Sequence, residues 1–269
     1  MAGAAFGGQA RGLIMDSGLL LGIEGRLATV TLNRPEARNA LSRALMRELI
    51  AMARSLSERT DIDVVILDGG MRCFSAGVDL KESNAWADDS LSVAQRRENA
   101  AIGFKLCKAW EEMPQITIAA IEGYAVGGGL ALSLACDWRV LAHDAFVSLP
   151  EIALGIPLTW GTIPRLVNLL GPTKAKRMTI LCERFTADQA LDFGVVDYVA
   201  SKGQAMALAR GIAAQTLDKP AMAVRMSKES VNACATALNH LAGYMGHDQI
   251  ALAAASAESR AARAAALKK

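Results

Sequence analysis

The chain has 269 residues, 52% apolar and 21% charged, with a formal net charge of +2. That supports one large core, while a near-neutral balance with no Lys/Arg run interleaved with aromatics excludes a nucleic-acid surface. Five scattered cysteines without CxxC spacing, beside three histidines, exclude a disulfide framework and a zinc pattern, so no metal is expected.

The uncharged runs are glycine-rich and far short of a membrane span, so no membrane segment is expected and reduced thiols point to the cytoplasm. Residues 1–15 lack acids and a sustained apolar stretch and read as a disordered leader, with Met15 as an alternative start. Residues 19–24 and 27–33 alternate and pair across a turn at Gly25 as a hairpin. Pro35 opens a loop. A helix then runs from the N-cap Ser42 to about Ser57, with Leu45, Leu49, Ala53 and Leu56 on one face.

Residues 63–68, DVVILD, have the unbroken aliphatic run of a strand buried on both faces. They lead into the loop FSAGVD, residues 74–79. A helix follows over 92–112, with Ser92 and Gln95 spaced as a capping box and Pro114 beyond its end. Residues 117–121 form the next buried strand. It runs into three glycines, Gly127, Gly128 and Gly129, with an apolar helix beginning near Gly128.

Further strands are expected at 138–142, 145–150 and 195–199. Helices are expected near 163–170, 173–182 and 186–193, the last with Thr186 and Gln189 as a capping box. Beyond residue 200 the chain is alanine-rich helix, broken at Lys219–Pro220 and around 243–246. Three parts follow: the leader 1–15, a mixed α/β body 16–200, and a helical tail 201–269 too small to hold its own core. The tail must pack on the body or on a neighbouring subunit.

Glycines expose backbone N–H groups, and a helix start adds positive potential, so the loop at 127–129 suits a negatively charged oxygen. Alone it would read as a tight turn or close packing, and it does not fit GxGxxG, because residue 132 is leucine. The loop at 74–79 also follows a buried strand. Adjacent strands would bring both loops to one sheet edge, where two convergent donors make an oxyanion hole.

Five segments now match one family in order and spacing: LNRPEARNAL (32–41), CFSAGVDLKE (73–82), AAIEGYAVGGGLALSLACD (119–137), LPEIALGI (149–156) and FTADQALDFGVVD (185–197). The chain resembles the crotonase, or enoyl-CoA hydratase/isomerase, superfamily from about residue 19 to its end. The resemblance implies a ClpP-like spiral of ββα repeats with a C-terminal helical trimerisation region. It implies a homotrimer or hexamer, and an acyl-CoA thioester as substrate with no separate cofactor. It implies Ala76 and Gly128 as the two oxyanion donors, and residues 76–79 (Ala76, Gly77, Val78, Asp79) along the thioester and pantetheine. Lys81 and Lys228 are carried over for the CoA phosphates.

In the family's hydratases one water-holding glutamate follows the proline of the PE motif, and this chain has it as Glu151. The other lies on the helix after the glycines, and here that position is Ala131. A lone base can still take a proton alpha to a thioester and return it elsewhere. Enoyl-CoA double-bond isomerisation by Glu151 is therefore the expected activity. Weak 2-enoyl-CoA hydration and a non-catalytic acyl-CoA-binding role stay open. Asp79 and Asp137 are expected in capping or loop hydrogen bonds, and Tyr124 and His143 in structural roles. Trp160 reads either as core packing or as a wall of the acyl pocket.

Overall fold

The computed structural model describes residues 13–15, 18–80, 82, 90–237, 239 and 246–266. Its larger sheet has seven strands: β1 (Leu13–Met15), β2 (Leu19–Glu24), β3 (Leu27–Leu32), β4 (Val64–Asp68), β5 (Ile116–Ile121), β7 (Trp138–Ala142) and β10 (Tyr198–Ala200). They lie in the order β1-β2-β3-β4-β5-β7-β10. The hairpin β2–β3 is antiparallel, and every pairing from β3 to β10 is parallel. β1 extends the antiparallel edge from within the stretch read as leader; residues 1–12 lie outside the described part. A smaller sheet joins β6 (Tyr124–Val126), β8 (Phe146–Ser148) and β9 (Arg184–Thr186).

The chain climbs through repeating turns. Each turn gives one strand to the large sheet, one short segment to the small sheet, and then a helix. β4 is followed by Ser75, bridged to Ala125, and by α2 (Val93–Glu111). β5 is followed by β6 and α3 (Gly128–Ser133), and β7 by β8 and α4 (Thr162–Ile180). The expected ββα spiral is thus present. All five residues of β4 and all six of β5 are buried, the double-sided covering that their unbroken aliphatic runs require.

Helix α1 (Arg43–Ser57) buries Leu45, Leu49, Ala53 and Leu56, and its first turn is capped by Ser42 Oγ accepting from Leu45 N. Both expected capping boxes exist, at Ser92/Gln95 before α2 and Thr186/Gln189 before α5 (Ala187–Phe193). α4 is two helices across a break at Gly171, where Pro172 cannot donate the next helical bond. The last strand starts at Tyr198 rather than 195, because Val195 N still bonds Ala190 O to finish α5.

The tail holds α6 (Ala205–Leu217), α7 (Ala221–Thr236), α8 (Gly246–Ala255) and α9 (Ala257–Ala266). α6 lies on the large sheet against β4, β5 and β7, burying Ala205, Ala209, Ile212 and Ala213. The buried Glu122 carboxylate, at the end of β5, accepts from Gly203 N and Ala205 N and so caps α6 from the body. α8 packs on α2, and α9 packs on the 3-10 turn Ile152–Leu154. The tail therefore folds back onto its own body. The break at Pro220 is as expected, while the one expected at 243–246 falls outside the described residues except for Gly246.

Candidate active site

The loop after β4 is held by Asn39, a buried residue in the left-handed region (φ 51). Its amide donates to Gly69 O (2.8 Å) and Cys73 O (3.0 Å), and its Oδ1 accepts from Arg34 N (2.8 Å). Asparagine tolerates this backbone better than most residues, and here every polar atom of its side chain is used. Ser75 Oγ donates to Asn39 O (2.8 Å) and accepts from Gly77 N (3.1 Å). Val126 N donates to Ser75 O (3.0 Å), which ties this loop to the glycine loop. A methyl group on Gly77 would lie 2.7 Å from Val126 O and 3.3 Å from Gly128 N. The two loops thus meet backbone to backbone, as the sequence implied.

Gly127 sits at φ 54, ψ −122, a conformation essentially reserved for glycine, with its N–H donated to Ser148 O (2.9 Å). A methyl there would also come within 2.7 Å of Glu151 Oε1, so the carboxylate lies directly against the loop. Among the described residues Gly128 N has no acceptor. Ala76 differs from expectation, because its N–H donates to Arg38 O at 3.0 Å. Arg38 is itself left-handed (φ 53), which turns its carbonyl toward Ala76. The site has one open donor, Gly128, and one engaged donor, Ala76. α3 has only six residues, so its dipole adds little and the N–H of Gly128 carries the positive potential.

A cavity of about 420 Å³ opens over these loops. The polar Arg34, Glu36 and Arg38 line it, together with Ala76, Gly128, Ala131, Glu151, Trp160 and Ile250 among others. Glu151 precedes the turn Ile152–Leu154, and the turn's Leu154 N and Ile156 N bond back to Glu151 O. The residue is partly exposed, yet its Oε2 is inaccessible and has no hydrogen-bond partner. Burial pushes the Glu151 carboxyl up to about 7 from its ordinary 4.5, against the smaller opposing effect of a backbone hydrogen bond. An acid that titrates near neutrality, beside an open N–H donor, can take and return a proton. Ala131, 1% exposed on α3, puts a methyl in the same cavity. Among the described residues no group of three His, Cys, Asp or Glu could hold a metal.

Comparison with known proteins decides the family. The enoyl-CoA hydratase/isomerase family matches over residues 22–263. This chain belongs to that family. The Syntrophomonas wolfei crotonyl-CoA hydratase is 33% identical over 215 residues, covering 80% of this chain and 81% of the relative. A Bacillus subtilis protein described as a putative enoyl-CoA hydratase/isomerase is 38% identical over 209 residues, covering 77% of this chain and 78% of its own. The solved enoyl-CoA hydratase of Bacillus anthracis superposes with a TM-score of 0.74 at 34% identity, over 80% of this chain and 82% of that one. An enoyl-CoA hydratase/isomerase structure from Mycobacterium paratuberculosis, 22% identical, shares the fold with a TM-score of 0.84 over 93% and 98% of the chains.

Besides Ala76, one residue carried over from the enoyl-CoA hydratase/isomerase pattern is placed differently from expectation. Lys228 does not reach the cavity. It is buried under β5, where its Nζ donates to Gln115 O (2.7 Å) and pairs with Asp137 Oδ2 (2.6 Å). Asp137 Oδ2 also accepts from Thr117 N (2.7 Å) and Thr117 Oγ1 (2.9 Å). Lys228 is thus a structural cation and is withdrawn as a phosphate contact. Lys81 lies outside the described residues.

Asp79 pairs with Arg34 Nη2 at 3.7 Å along the cavity, and Val78 lines the cavity beside it. Tyr124 stacks on Phe146 with centroids 5.4 Å apart, and exposed His143 faces Asp188 at 3.6 Å, so neither enters the site. Trp160 is 9% exposed in the core and also lines the cavity. Sequence reasoning missed Asn39, Arg38, Ile250 and Thr162, whose buried Oγ1 has no partner. Only Asn39 left a trace, as a turn-forming residue in the loop that Pro35 opens.

Proposed function

We propose that this chain is an acyl-CoA enzyme that shifts an enoyl-CoA double bond, with Glu151 as its sole acid/base. Glu151 takes the C2 proton of a 3-enoyl-CoA, and electrons flow into the thioester to give a dienolate. The same carboxyl then returns the proton to C4, leaving a 2-enoyl-CoA. The observation that carries this reading is the pairing of one neutral-range carboxyl, Glu151, with a methyl at Ala131 where a second carboxyl would hold water. The thioester oxygen binds to Gly128 N, with Ala76 N as the second donor once it shares or releases Arg38 O. A donor of this kind contributes roughly 3 kcal/mol of transition-state stabilisation.

Hydration of a 2-enoyl-CoA is the second reading. It is favoured by the names of similar proteins, among them the crotonyl-CoA hydratase of Syntrophomonas wolfei. Incubation of purified protein with 3-enoyl-CoA and with 2-enoyl-CoA, followed by mass spectrometry, separates the two. Isomerisation lost in Glu151→Gln supports the proposal, and hydration as the faster reaction overturns it. Binding without turnover of either thioester would leave an acyl-CoA-binding protein.

A homotrimer, alone or paired into a hexamer, belongs to the same proposal. It is supported by the exposed Met222, Met226 and Val231 along α7, and sedimentation tests it. A cytoplasmic location is proposed on the cysteine pattern, which has no paired spacing.

A further inference from the structure

The backbone around Trp160 is unusual and firmly held. Its φ is +62, in the region that bulky residues avoid, so something must over-determine it. Trp160 O accepts from Arg165 Nη1 (2.8 Å), and Arg165 is fixed by a two-point ion pair with Glu111 (2.8 and 2.7 Å). Thr162 N closes the turn onto Thr159 O (3.0 Å).

The indole fills a slot between two glycines on different helices. A methyl at Gly103, inside α2, would lie 1.8 Å from Trp160 Cε2 and 2.0 Å from its Nε1. A methyl at Gly128 would lie 2.7 Å from Trp160 Cη2. Glycine in a helix interior is less favourable than alanine, and Gly103 stands there because the indole occupies the place of its side chain. The outer edge of the ring therefore borders the residue whose N–H faces the cavity. Beyond Val78 and Trp160 lies a second, small space of about 20 Å³, lined by Leu41, Met46 and Ile102 and by the polar Arg43, Glu82 and Asn99. Val78 and Trp160 line both spaces, so the indole stands as a partition between them.

We propose that Trp160 sets the acyl-chain limit of this site and makes it selective for short acyl groups. The inference rests on the acyl-CoA reading above, which fixes the thioester oxygen at Gly128. From there the acyl carbons meet the indole edge after a few bonds. Removing the ring joins the cavity to the space under α1 and α2 and lets a longer chain through.

The test measures binding of saturated butanoyl-CoA and decanoyl-CoA by calorimetry, so that it does not depend on turnover. The wild-type chain is compared with Trp160→Gly, which removes the indole and suits the left-handed backbone. Trp160→Leu, which keeps an apolar side chain, is the second variant. Circular dichroism and thermal melting establish folding, and Trp160→Leu stands in where Trp160→Gly does not fold. The wild type is expected to favour butanoyl-CoA by about tenfold or more, since each methylene a pocket accepts or rejects changes affinity on that scale. The variants should gain about tenfold or more for decanoyl-CoA relative to butanoyl-CoA, so that the wild-type preference narrows or reverses. Equal affinity of the wild type for both thioesters overturns the proposal, as does an unchanged preference in a folded variant. Binding of neither by the wild type overturns the acyl-CoA reading itself.

Discussion

Replacing Glu151 by glutamine should abolish turnover while making the protein more stable at alkaline pH. The Glu151 carboxyl is buried with Oε2 unpartnered, and its pKa rises from 4.5 to about 7. A raised carboxyl pKa means that the fold favours the protonated form. The stabilising contribution is thus full below about 4.5 and is lost as pH rises through about 7. At 1.36 kcal/mol per pH unit, that interval corresponds to about 3 kcal/mol at pH 8. Glutamine keeps the neutral shape and escapes the loss.

Urea denaturation of the ligand-free protein at two pH values is the assay. At pH 8 the variant should exceed wild type by about 1 to 3 kcal/mol, the lower figure allowing for water that enters the cavity. At pH 5 the difference should shrink to a fraction of that. Asp68, also raised by burial, is common to both proteins and cancels. A variant no more stable than wild type at pH 8, or a gap that ignores pH, would refute the argument.

Three more outcomes are expected. Wild-type kcat/KM for isomerisation should rise with pH through an apparent value near 7, as the base form of Glu151 is populated, and a profile flat from pH 5 to 9 would contradict it. Gly127→Ala should lower kcat by about a hundredfold or more with a modest change in KM, because its methyl would displace Glu151 Oε1 and strain a glycine-only backbone; steady-state kinetics show this. Lys228→Met should lower the unfolding free energy by up to about 3 kcal/mol by leaving the partly buried Asp137 without its cation, yet leave KM for acyl-CoA unchanged. A raised KM in a folded Lys228 variant would restore it as a phosphate contact.

Local features were legible in the sequence. The aliphatic runs of β4 and β5, the capping boxes at Ser92 and Thr186, and the glycine loop before α3 each declare themselves within a few residues. Glu151 was legible through its motif. Hidden were the features that join distant segments. Lys228 pairs with a residue 91 positions away, so on paper it looks like a solvated tail lysine. Trp160 is explained by Gly103 on another helix, and neither residue mentions the other in sequence. The carbonyl of Arg38 takes the Ala76 N–H because a non-glycine residue is left-handed, and side-chain patterns do not carry that information.

The fold-back of the tail has a consequence for how the site is made. Ile250 of α8 lines the cavity, and a methyl on Gly155, just past the turn that follows Glu151, would lie 2.6 Å from Ser259 Cα of α9. Two segments beyond residue 245 therefore wall in a turn that the body alone would leave uncovered on that side. Chains cut short near residue 245 should keep their sheets but hold the Glu151 turn loosely, so the shape of the cavity answers to the tail as well as to the sheets.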